Sequence, residues 1–475
     1  MRKIHIITLH LMLLNFTVIA APTGNSLFSI SPSETNLYLS SRGSASVLYS
    51  VTNNSRASAT PSITLDYESA GKNLTLASNT CDVELAPAGN CTFRVLISGA
   101  NQPETFTLTP RICGFNGFIC SIPPQAVTVK VTRPAAGLPP RAYVEVYNSD
   151  ANALILKGIN INNPSDVISA EIQDSNVSSS VNSVAISPDG SKVYATYSDG
   201  FVAFFNATSN ELSYEGSVNI DSSFSFWSVP KNMQMAITPD GSALFISRYT
   251  PPSFDAPPSL FRINLGPTSE QSSVTTFRNI VNTSGLVISP DGKTVYAATS
   301  EDYIVALPVD ADTNASGQHI TGLIDNQIHL GLAIDSAGTT LYVANIALPS
   351  FLPEPVISVF SVDGLKGNAE SWVWPTLIFN PVGLAISAEG TKLYAAGTDN
   401  VKIFSLNDSS PALYSTIPIV GAFGLALSLE GSKLYVTQSG DSSGTTTSII
   451  NTADLTTSSI ALDGSSSTIG QFIGP

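Results

Sequence analysis

The amino-acid sequence predicts an all-β protein with two domains, a β-sandwich followed by a ring of repeated β-sheets. One phrase recurs six times between residues 181 and 436: an apolar triplet, a turn that ends in Gly, and an aromatic residue four positions later. Residues 22–133 instead contain short runs that alternate apolar and polar side chains, separated by Asn, Gly and Pro. At 475 residues the chain also exceeds the length that one hydrophobic core supports.

The repeated phrase predicts a β-propeller for the second domain. Its turn glycines follow one another at intervals of 41 to 52 residues, a period typical of short-stranded sheets that stack on their neighbours to bury both faces. In each copy the triplet is expected to form the innermost strand, the Gly a tight turn, and the aromatic residue part of the second strand. The copies read VAISPDGSKVY, MAITPDGSALF, LVISPDGKTVY, LAIDSAGTTLY, LAISAEGTKLY and LALSLEGSKLY.

A seventh sheet is predicted from the two ends of this domain. Tyr143 lies where a second strand would place its aromatic residue, 51 residues before Tyr194. The runs NALILKGI and DVISAEI follow as third and fourth strands, and SSTIGQFI (466–473) supplies the missing innermost strand. Residues 471–473 are therefore expected beside the strand that holds Tyr143. This pairing would close a seven-bladed propeller over residues 141–475 and leave no exposed sheet edge between its ends.

The N-terminal domain, over residues 21–133, is predicted to be an antiparallel β-sandwich. It contains all four cysteines, and an even number of cysteines in an exported chain favours disulfides. Three pairings are possible. Cys81 with Cys91 and Cys113 with Cys120 are the closest pairs, each across a Gly-containing turn, so two local disulfides are expected. The cysteine spacings match no common zinc finger.

The first residues predict export. Two basic residues precede an apolar run that ends near Ala20, and small residues at that point suit cleavage by signal peptidase, so residues 1–20 are interpreted as a signal peptide. No later apolar stretch has the length that spans a bilayer. A secreted or periplasmic protein is expected, with the Pro-rich residues 134–140 as a stiff linker between the domains.

Two resemblances accompany these predictions. The phrase LAPAGNCTFRV is similar to the start of a strand in immunoglobulin-like (Ig-like) modules at the front of exported bacterial proteins, which implies an Ig-like sandwich. The repeats resemble the YVTN type of β-propeller, whose units run P-x-G-[VL]-A-[IV]-[ST]-x-D-G-x-x-[VL]-Y-V; PVGLAISAEGTKLYA and AFGLALSLEGSKLYV match closely. This second resemblance spans roughly residues 141–475, and it implies a fold much more than an activity.

The charge balance argues against a nucleic-acid partner. Lys and Arg number 21 and Asp and Glu 36, for a net charge of -15 at pH 7. Such a chain repels phosphate backbones and anionic membrane surfaces.

Few residues offer catalytic chemistry. His319 and His329 are the only histidines beyond the predicted signal peptide; His319 is placed in a third-to-fourth strand turn, and His329 just before an innermost strand near the channel mouth. Residues 440–444 match G-x-S-x-G, but Ser442 lies in a loop between strands rather than at a strand-to-helix turn. The loop at 310–314 lacks the Gly and closing carboxylate of a calcium site. No catalytic residue, cofactor or metal ligand is therefore predicted.

The predicted function is recognition of a protein, peptide or glycan by the loop-rich face of the propeller. Two second-to-third strand connections, at 248–259 and 346–355, are long and rich in Pro, and aromatic residues on stiffened loops form a low-entropy contact surface. Packing of the same aromatic residues between blades would explain them equally well. The links that lead into innermost strands are expected to hold all three tryptophans. The candidate surface residues are Trp227, Phe254, His329, Phe351, Trp372 and Trp374.

Two other functions stay open from the sequence. Rings of the YVTN type are distantly similar to lactonases, which implies a lactonase-like or other hydrolase at the channel mouth as the alternative. The Ig-like module is the other candidate, as an adhesive domain carried by a propeller scaffold.

Overall fold

The computed structural model describes residues 26–474 except for 41–43, 66–73, 100–101, 103, 115–116, 118, 134–137, 149–152, 175–180, 221–232, 250–257, 302, 324–328, 330, 346–355, 363–370, 376–380, 388, 398, 407–411, 429–430, 439–444, 463–468 and 471–472. The predicted signal peptide and most of the predicted linker lie outside the described residues. Within them the chain forms strands and one 3-10 turn (Ser269–Gln271), which confirms the all-β class. None of the described segments forms a helix with the length and hydropathy that a membrane crossing requires.

The N-terminal domain has two main sheets around one core. Its strands are β1 (Phe28–Pro32), β2 (Asn36–Ser40), β3 (Ser44–Asn53), β4 (Ser62–Thr64), β5 (Leu74–Asn79), β6 (Asn90–Ser98), β7 (Thr105–Leu108), β8 (Arg111–Gly114), β9 (Ile119–Ser121) and β10 (Val127–Thr132). One sheet has the order β1-β3-β6-β5, the second β2-β10-β7, and a small third sheet β4-β8-β9. Buried side chains of both main sheets meet between them, and the rings of Tyr49 and Phe93 stack with centroids 5.0 Å apart.

Both predicted disulfides are confirmed. Cys81 bonds to Cys91, and Cys113 bonds to Cys120, its direct partner across β8 and β9. Each closes a short loop, so each restricts the unfolded chain and stabilises the domain by about 2–3 kcal/mol.

The second domain contains a succession of antiparallel sheets, here called repeat sheets. Its strands are β11 (Arg141–Asn148), β12 (Ala153–Asn160), β13 (Val167–Glu171), β14 (Val181–Ile186), β15 (Lys192–Tyr197), β16 (Phe201–Ala207), β17 (Leu212–Asn219), β18 (Met233–Ile237), β19 (Ala243–Arg248), β20 (Leu260–Asn264), β21 (Ser273–Thr276), β22 (Thr283–Ile288), β23 (Thr294–Thr299), β24 (Tyr303–Pro308), β25 (Gln318–Thr321), β26 (Leu332–Ile334), β27 (Thr340–Asn345), β28 (Val356–Ser361), β29 (Ser371–Pro375), β30 (Gly383–Ile386), β31 (Lys392–Gly397), β32 (Asn400–Ser405), β33 (Ala412–Pro418), β34 (Ala422–Leu427), β35 (Lys433–Gln438), β36 (Thr445–Asn451), β37 (Thr457–Leu462), β38 (Ile469–Gly470) and β39 (Ile473–Gly474).

Consecutive strands pair within each repeat sheet. In the described part of the chain the sheets are β39-β11-β12-β13, β38-β14-β15-β16-β17, β18 to β21, β22 to β25, β26 to β29, β30 to β33, and β34 to β37. They are numbered first to seventh in that order. The repeated phrase forms the first two strands of the second to seventh sheets, and its aromatic residues are buried, with exposed fractions of 0 to 7%.

The Gly turn of each phrase is held by two local features. The turn glycines have φ between 67° and 74°, a left-handed conformation that strains any residue with a Cβ. A side-chain oxygen at the start of the turn accepts the backbone N–H five positions later, at 2.9 to 3.1 Å in all six turns. These acceptors are Ser187, Thr238, Ser289, Asp335, Ser387 and Ser428.

The last strands join the two ends of the second domain. Ile473 pairs with Ala142, beside Tyr143, and Gly474 pairs with Arg141; Gln471 and Phe472 lie outside the described residues. Ile469 pairs in parallel with Ser183 of β14. The innermost strands contact one another in the order β14, β18, β22, β26, β30, β34 and β38, and β38 contacts β14. The described innermost strands therefore form a closed circle around a channel.

Two glycines allow neighbouring innermost strands to approach closely. A Cβ on Gly383 would lie 2.5 Å from the carbonyl oxygen of Phe423, and one on Gly331 would lie 2.6 Å from that of Val382. Both distances are shorter than a van der Waals contact, so only Gly fits where backbone meets backbone. The Gly that precedes the apolar pair in these repeats is thus a packing requirement of the ring.

We expect Gly383→Ala to lower the free energy of unfolding by about 1–3 kcal/mol, because the added methyl group overpacks a backbone contact. The measurement is denaturant unfolding of the full chain. Ala385→Ser is the control, since it adds one atom on the same strand where the side chain lines the channel cavity, and we expect it to cost less than about 0.5 kcal/mol. Equal losses in the two variants would contradict the close-approach argument.

Candidate binding face and central channel

The repeat sheets present two different faces. Because their strands run antiparallel in chain order, the Gly turns and the third-to-fourth connections emerge on one side, here called the turn face. The second-to-third connections and the links into the next innermost strand emerge on the other side, here called the loop face. Of the described strands, β19 ends and β20 begins on the loop face, and so do β27 and β28, respectively; these strands flank the two long connections that the sequence singles out.

The predicted surface residues are only partly described. Trp227, Phe254 and Phe351 lie outside the described residues. Trp372 and Trp374 lie in β29, where their backbones pair with Val359 and Ile357. The sequence interpretation placed these two tryptophans in a link, and this is wrong: they belong to the fourth strand of the fifth sheet, because a third strand at 356–361 needs an outer partner.

The two histidines have different environments and lie in different strands or links. His329 has no exposed surface, and its carbonyl oxygen accepts a hydrogen bond from Ser284 Oγ at 2.7 Å. His319 lies in the fourth strand β25 rather than in the turn before it, and its exposed ring stacks on Tyr303 with centroids 3.9 Å apart. His329 thus lies buried in the link before β26, next to Ser284 of the fourth sheet.

The channel holds a cavity of about 370 Å³ among the innermost strands. Its wall in the described residues consists of aliphatic side chains such as Met235, Ile237 and Leu286, with Gly and Ala between them and one amide, Gln234. Gln234 is 6% exposed, and its Oε1 accepts the N–H of Leu286 at 3.3 Å, which ties the third sheet to the fourth. Such a wall suits contact with an apolar group.

Hydroxyl groups support the innermost strands toward the loop face. Thr196 Oγ1 accepts the N–H of Ser183 at 3.1 Å, and Thr437 Oγ1 accepts that of Gly424 at 2.9 Å, next to irregularities in the pairing of β14 and β34. Ser247 donates to the carbonyl of Ser284 in the next sheet. These bonds satisfy backbone groups that the irregular ladders leave without strand partners.

A buried acid, Glu145, lies in the same layer and was missed in the sequence. Burial raises the pKa of its carboxyl to about 7, the N–H of Val181 lowers it, and the charge of Asp199 raises it. A carboxyl group that titrates near neutrality is a candidate for acid–base chemistry. Its bond to the Val181 N–H, at 2.8 Å, joins the first sheet to the second, which identifies a structural role.

The sandwich contacts the turn face. Glu34 Oε2 lies 3.1 Å from Lys293 Nζ, and the carbonyl oxygen of Ala337 accepts hydrogen bonds from Arg94 Nη1 at 3.0 Å and Ser46 Oγ at 3.1 Å. A cavity of about 130 Å³ lies between the two domains at this contact. These described contacts of the N-terminal domain therefore lie on the turn face, opposite the loop face.

Solved structures that resemble the chain include β-propeller folds. A functionally unknown protein from Desulfotomaculum acetoxidans is similar at TM-score 0.51 and 14% identity, over 70% of this chain and 98% of its own. A protein from Bacteroides uniformis described as a "putative 6-phosphogluconolactonase" is similar at TM-score 0.50 and 15% identity, over 69% and 97%. The β-propeller domain of Cps50 (Swd1) from Myceliophteria thermophila has TM-score 0.42 and 10% identity, over 60% and 86%.

No family model and no curated protein matches the sequence. At 14% and 15% identity the structural likenesses concern the fold alone.

Proposed function

We propose that this protein is an exported, non-catalytic binding protein, in which an Ig-like sandwich is joined to a seven-bladed propeller of the YVTN type. Seven consecutive repeat sheets in the described residues, with β39 beside β11, support the blade count and the shared last blade. The two disulfides agree with an oxidising compartment outside the cytoplasm. The ligand is a protein, peptide or glycan.

The observation that carries this proposal is the position of the sandwich. It contacts the turn face through Glu34, Ser46 and Arg94, so these contacts do not occupy the described part of the loop face. The two longest second-to-third strand connections, at 248–259 and 346–355, are rich in Pro and follow strands that end on the loop face. Aromatic side chains held by stiff loops lose little entropy on binding, and they dominate the energetics of contact surfaces.

We expect the triple variant Trp227→Ala, Phe254→Ala, Phe351→Ala to lose capture of its partner at least about 30-fold, since each central aromatic anchor contributes about 2 kcal/mol or more. The measurement compares immobilised parent and variant, in quantitative capture from culture medium and cell-envelope extract. Leu413→Ala with Tyr414→Ala is the matched control, because these exposed residues lie at the start of an outer strand, next to the turn face. Full capture by the triple variant would contradict the proposal.

The alternative is a lactonase-like hydrolase, favoured by the 6-phosphogluconolactonase name that the similar Bacteroides uniformis protein carries. An acid–base mechanism needs titratable groups that converge on a substrate. The channel wall described above is aliphatic with one amide, which fits an apolar contact better. We expect the parent protein to leave a panel of lactones and esters, 6-phosphogluconolactone among them, at the uncatalysed rate. Turnover that His329→Ala abolishes would support the hydrolase instead.

A further inference from the structure

Two adjacent Gly turns depart from the repeat that the other turns follow. The residue before the turn Gly is Asp or Glu in five copies and Ala337 in the fourth. The residue after the Gly is Ser or Thr in five copies and Lys293 in the third. The fourth turn keeps a carboxylate at its start instead: Asp335 accepts the N–H groups of Thr339 and Thr340 and the hydroxyl of Thr339. A carboxylate at position 337 is therefore not needed to hold this turn, and the small side chain there suits a contact with another domain.

Both exceptions contact the sandwich. Lys293 Nζ lies 3.1 Å from Glu34 Oε2, and the Ala337 carbonyl oxygen receives hydrogen bonds from Arg94 and Ser46. Arg94 Nη1 also donates to Ser46 Oγ at 3.0 Å, which fixes both donors toward one acceptor. A turn with Asp at position 337 would add a carboxylate to an interdomain cavity that Glu34 and Asp291 already line.

We propose that the turns at 289–293 and 335–339 form a docking site dedicated to the N-terminal sandwich, in which Lys293 and Ala337 select the partner by charge and space. The partner surface is the patch of Glu34, Ser46 and Arg94. This site goes beyond ligand recognition on the loop face and depends on none of it.

The charges around Glu34 make this docking pH-dependent. Its side chain is only 3% exposed, while Lys293 on the propeller side is 51% exposed. Burial raises the pKa of Glu34 to about 7; Lys293 lowers it, Asp291 raises it and Arg94 lowers it. Tyr49, on β3 of the sandwich, lies close enough for the Glu34 charge to raise its pKa further, after burial.

The sign of the pH dependence follows from where the proton binds more tightly. An undocked Glu34 faces water and titrates near its usual pKa of 4.5, whereas the docked carboxyl titrates near 7. The proton on Glu34 therefore stabilises the docked state fully below about pH 4, and this stabilisation is lost as pH rises through about 7. This difference corresponds to docking up to about 300-fold weaker at pH 8 than at pH 4.

The test measures the distance between spin labels on cysteines introduced at exposed Thr64 and Thr457 of the full chain. We expect the docked distance to lose population from pH 5 to pH 8 in the parent, and Glu34→Gln to keep it at both pH values. Lys293→Ser, which restores the repeat residue, is expected to reduce docking at pH 8 by at least about 10-fold and at pH 5 by less than about 2-fold. A buried charge without its partner explains the difference.

Lys433→Ser is the control, since it removes a turn-face lysine from the seventh sheet. Ala337→Asp is expected to weaken docking at pH 8 by at least about 10-fold through repulsion from Glu34. If the domains dock too tightly to separate, the second measurement is the melting temperature of the parent minus that of Glu34→Gln. This difference is expected to fall from pH 5 to pH 8.

Two outcomes would overturn the proposal. The same pH response of the parent and Glu34→Gln in both measurements would overturn the pH dependence. A Lys293→Ser, Ala337→Asp double variant that stays docked at pH 8 would overturn the docking site.

Discussion

Removal of residues 466–475 is expected to destabilise the second domain strongly, so that it melts at a much lower temperature or aggregates. Ile473 and Gly474 supply the inner partner of β11, and Ile469 and Gly470 contact the innermost strands on both sides. Without them the backbone groups of Arg141 and Ala142, and the edge of β14, lose protein partners. Several such groups at about 1 kcal/mol or more each represent a large share of a typical stability of about 5–15 kcal/mol.

The measurement is thermal unfolding by circular dichroism, together with size-exclusion chromatography to detect edge-to-edge association. We expect the truncated chain to melt at least about 10 °C below the parent, or to aggregate. Deletion of Pro475 alone is the control, and a synthetic peptide of residues 466–475 added in excess is expected to recover part of the loss. A truncated chain with the parent's melting temperature would mean that the ring is stable while open.

Local chemistry explains why the first two strands of each repeat sheet were predictable. Each copy needs a left-handed Gly, a side-chain acceptor at the start of the turn and a buried aromatic residue. Because these requirements are local, each fixes a residue type at a constant spacing, as in Ser187, Gly190 and Tyr194. The outer strands carry no such mark. Trp372 and Trp374 therefore looked like link residues, although they pair with the third strand of their sheet.

Contacts between distant segments explain what the sequence could not reveal. Lys293 and Ala337 are visible as exceptions to the repeat, but their meaning depends on Glu34 and Arg94, more than 200 residues away. The burial of His329 likewise depends on the neighbouring sheet, whose Ser284 bonds to its carbonyl oxygen. The departure of these two turns from the internal repeat was the signal that the sequence offered.

Arg141→Met is expected to lower the free energy of unfolding by about 3–5 kcal/mol, the cost of breaking a buried charged network. Arg141 is 1% exposed, and its guanidinium donates to the carbonyl oxygens of Gly158 at 2.9 Å, Asp166 at 3.0 Å and Ser209 at 2.9 Å. Ser209 lies in the connection between β16 and β17 of the second sheet, so the bond to it joins the first sheet to its neighbour. Met replaces the aliphatic stem but removes the guanidinium donor from all three carbonyl oxygens, of which that of Asp166 keeps a bond from the Asn160 N–H.

Denaturant unfolding of the full chain measures this loss, and Asp166→Asn separates the network from the ion pair. The Asp166 carboxylate is 37% exposed, and hydrogen bonds from Asn160 and Arg141 lower its pKa. Its contribution is therefore present above the usual Asp value and is lost as pH falls through the lowered one, so Asp166→Asn is expected to flatten the acid side of the stability profile and otherwise to cost little. Arg141→Lys, which keeps the charge but not the planar fork, is expected to retain less than half of the lost stability. A loss of less than about 1 kcal/mol in Arg141→Met would contradict this prediction. It would mean that apolar packing holds the first sheet to the second and that the guanidinium hydrogen bonds contribute little to stability.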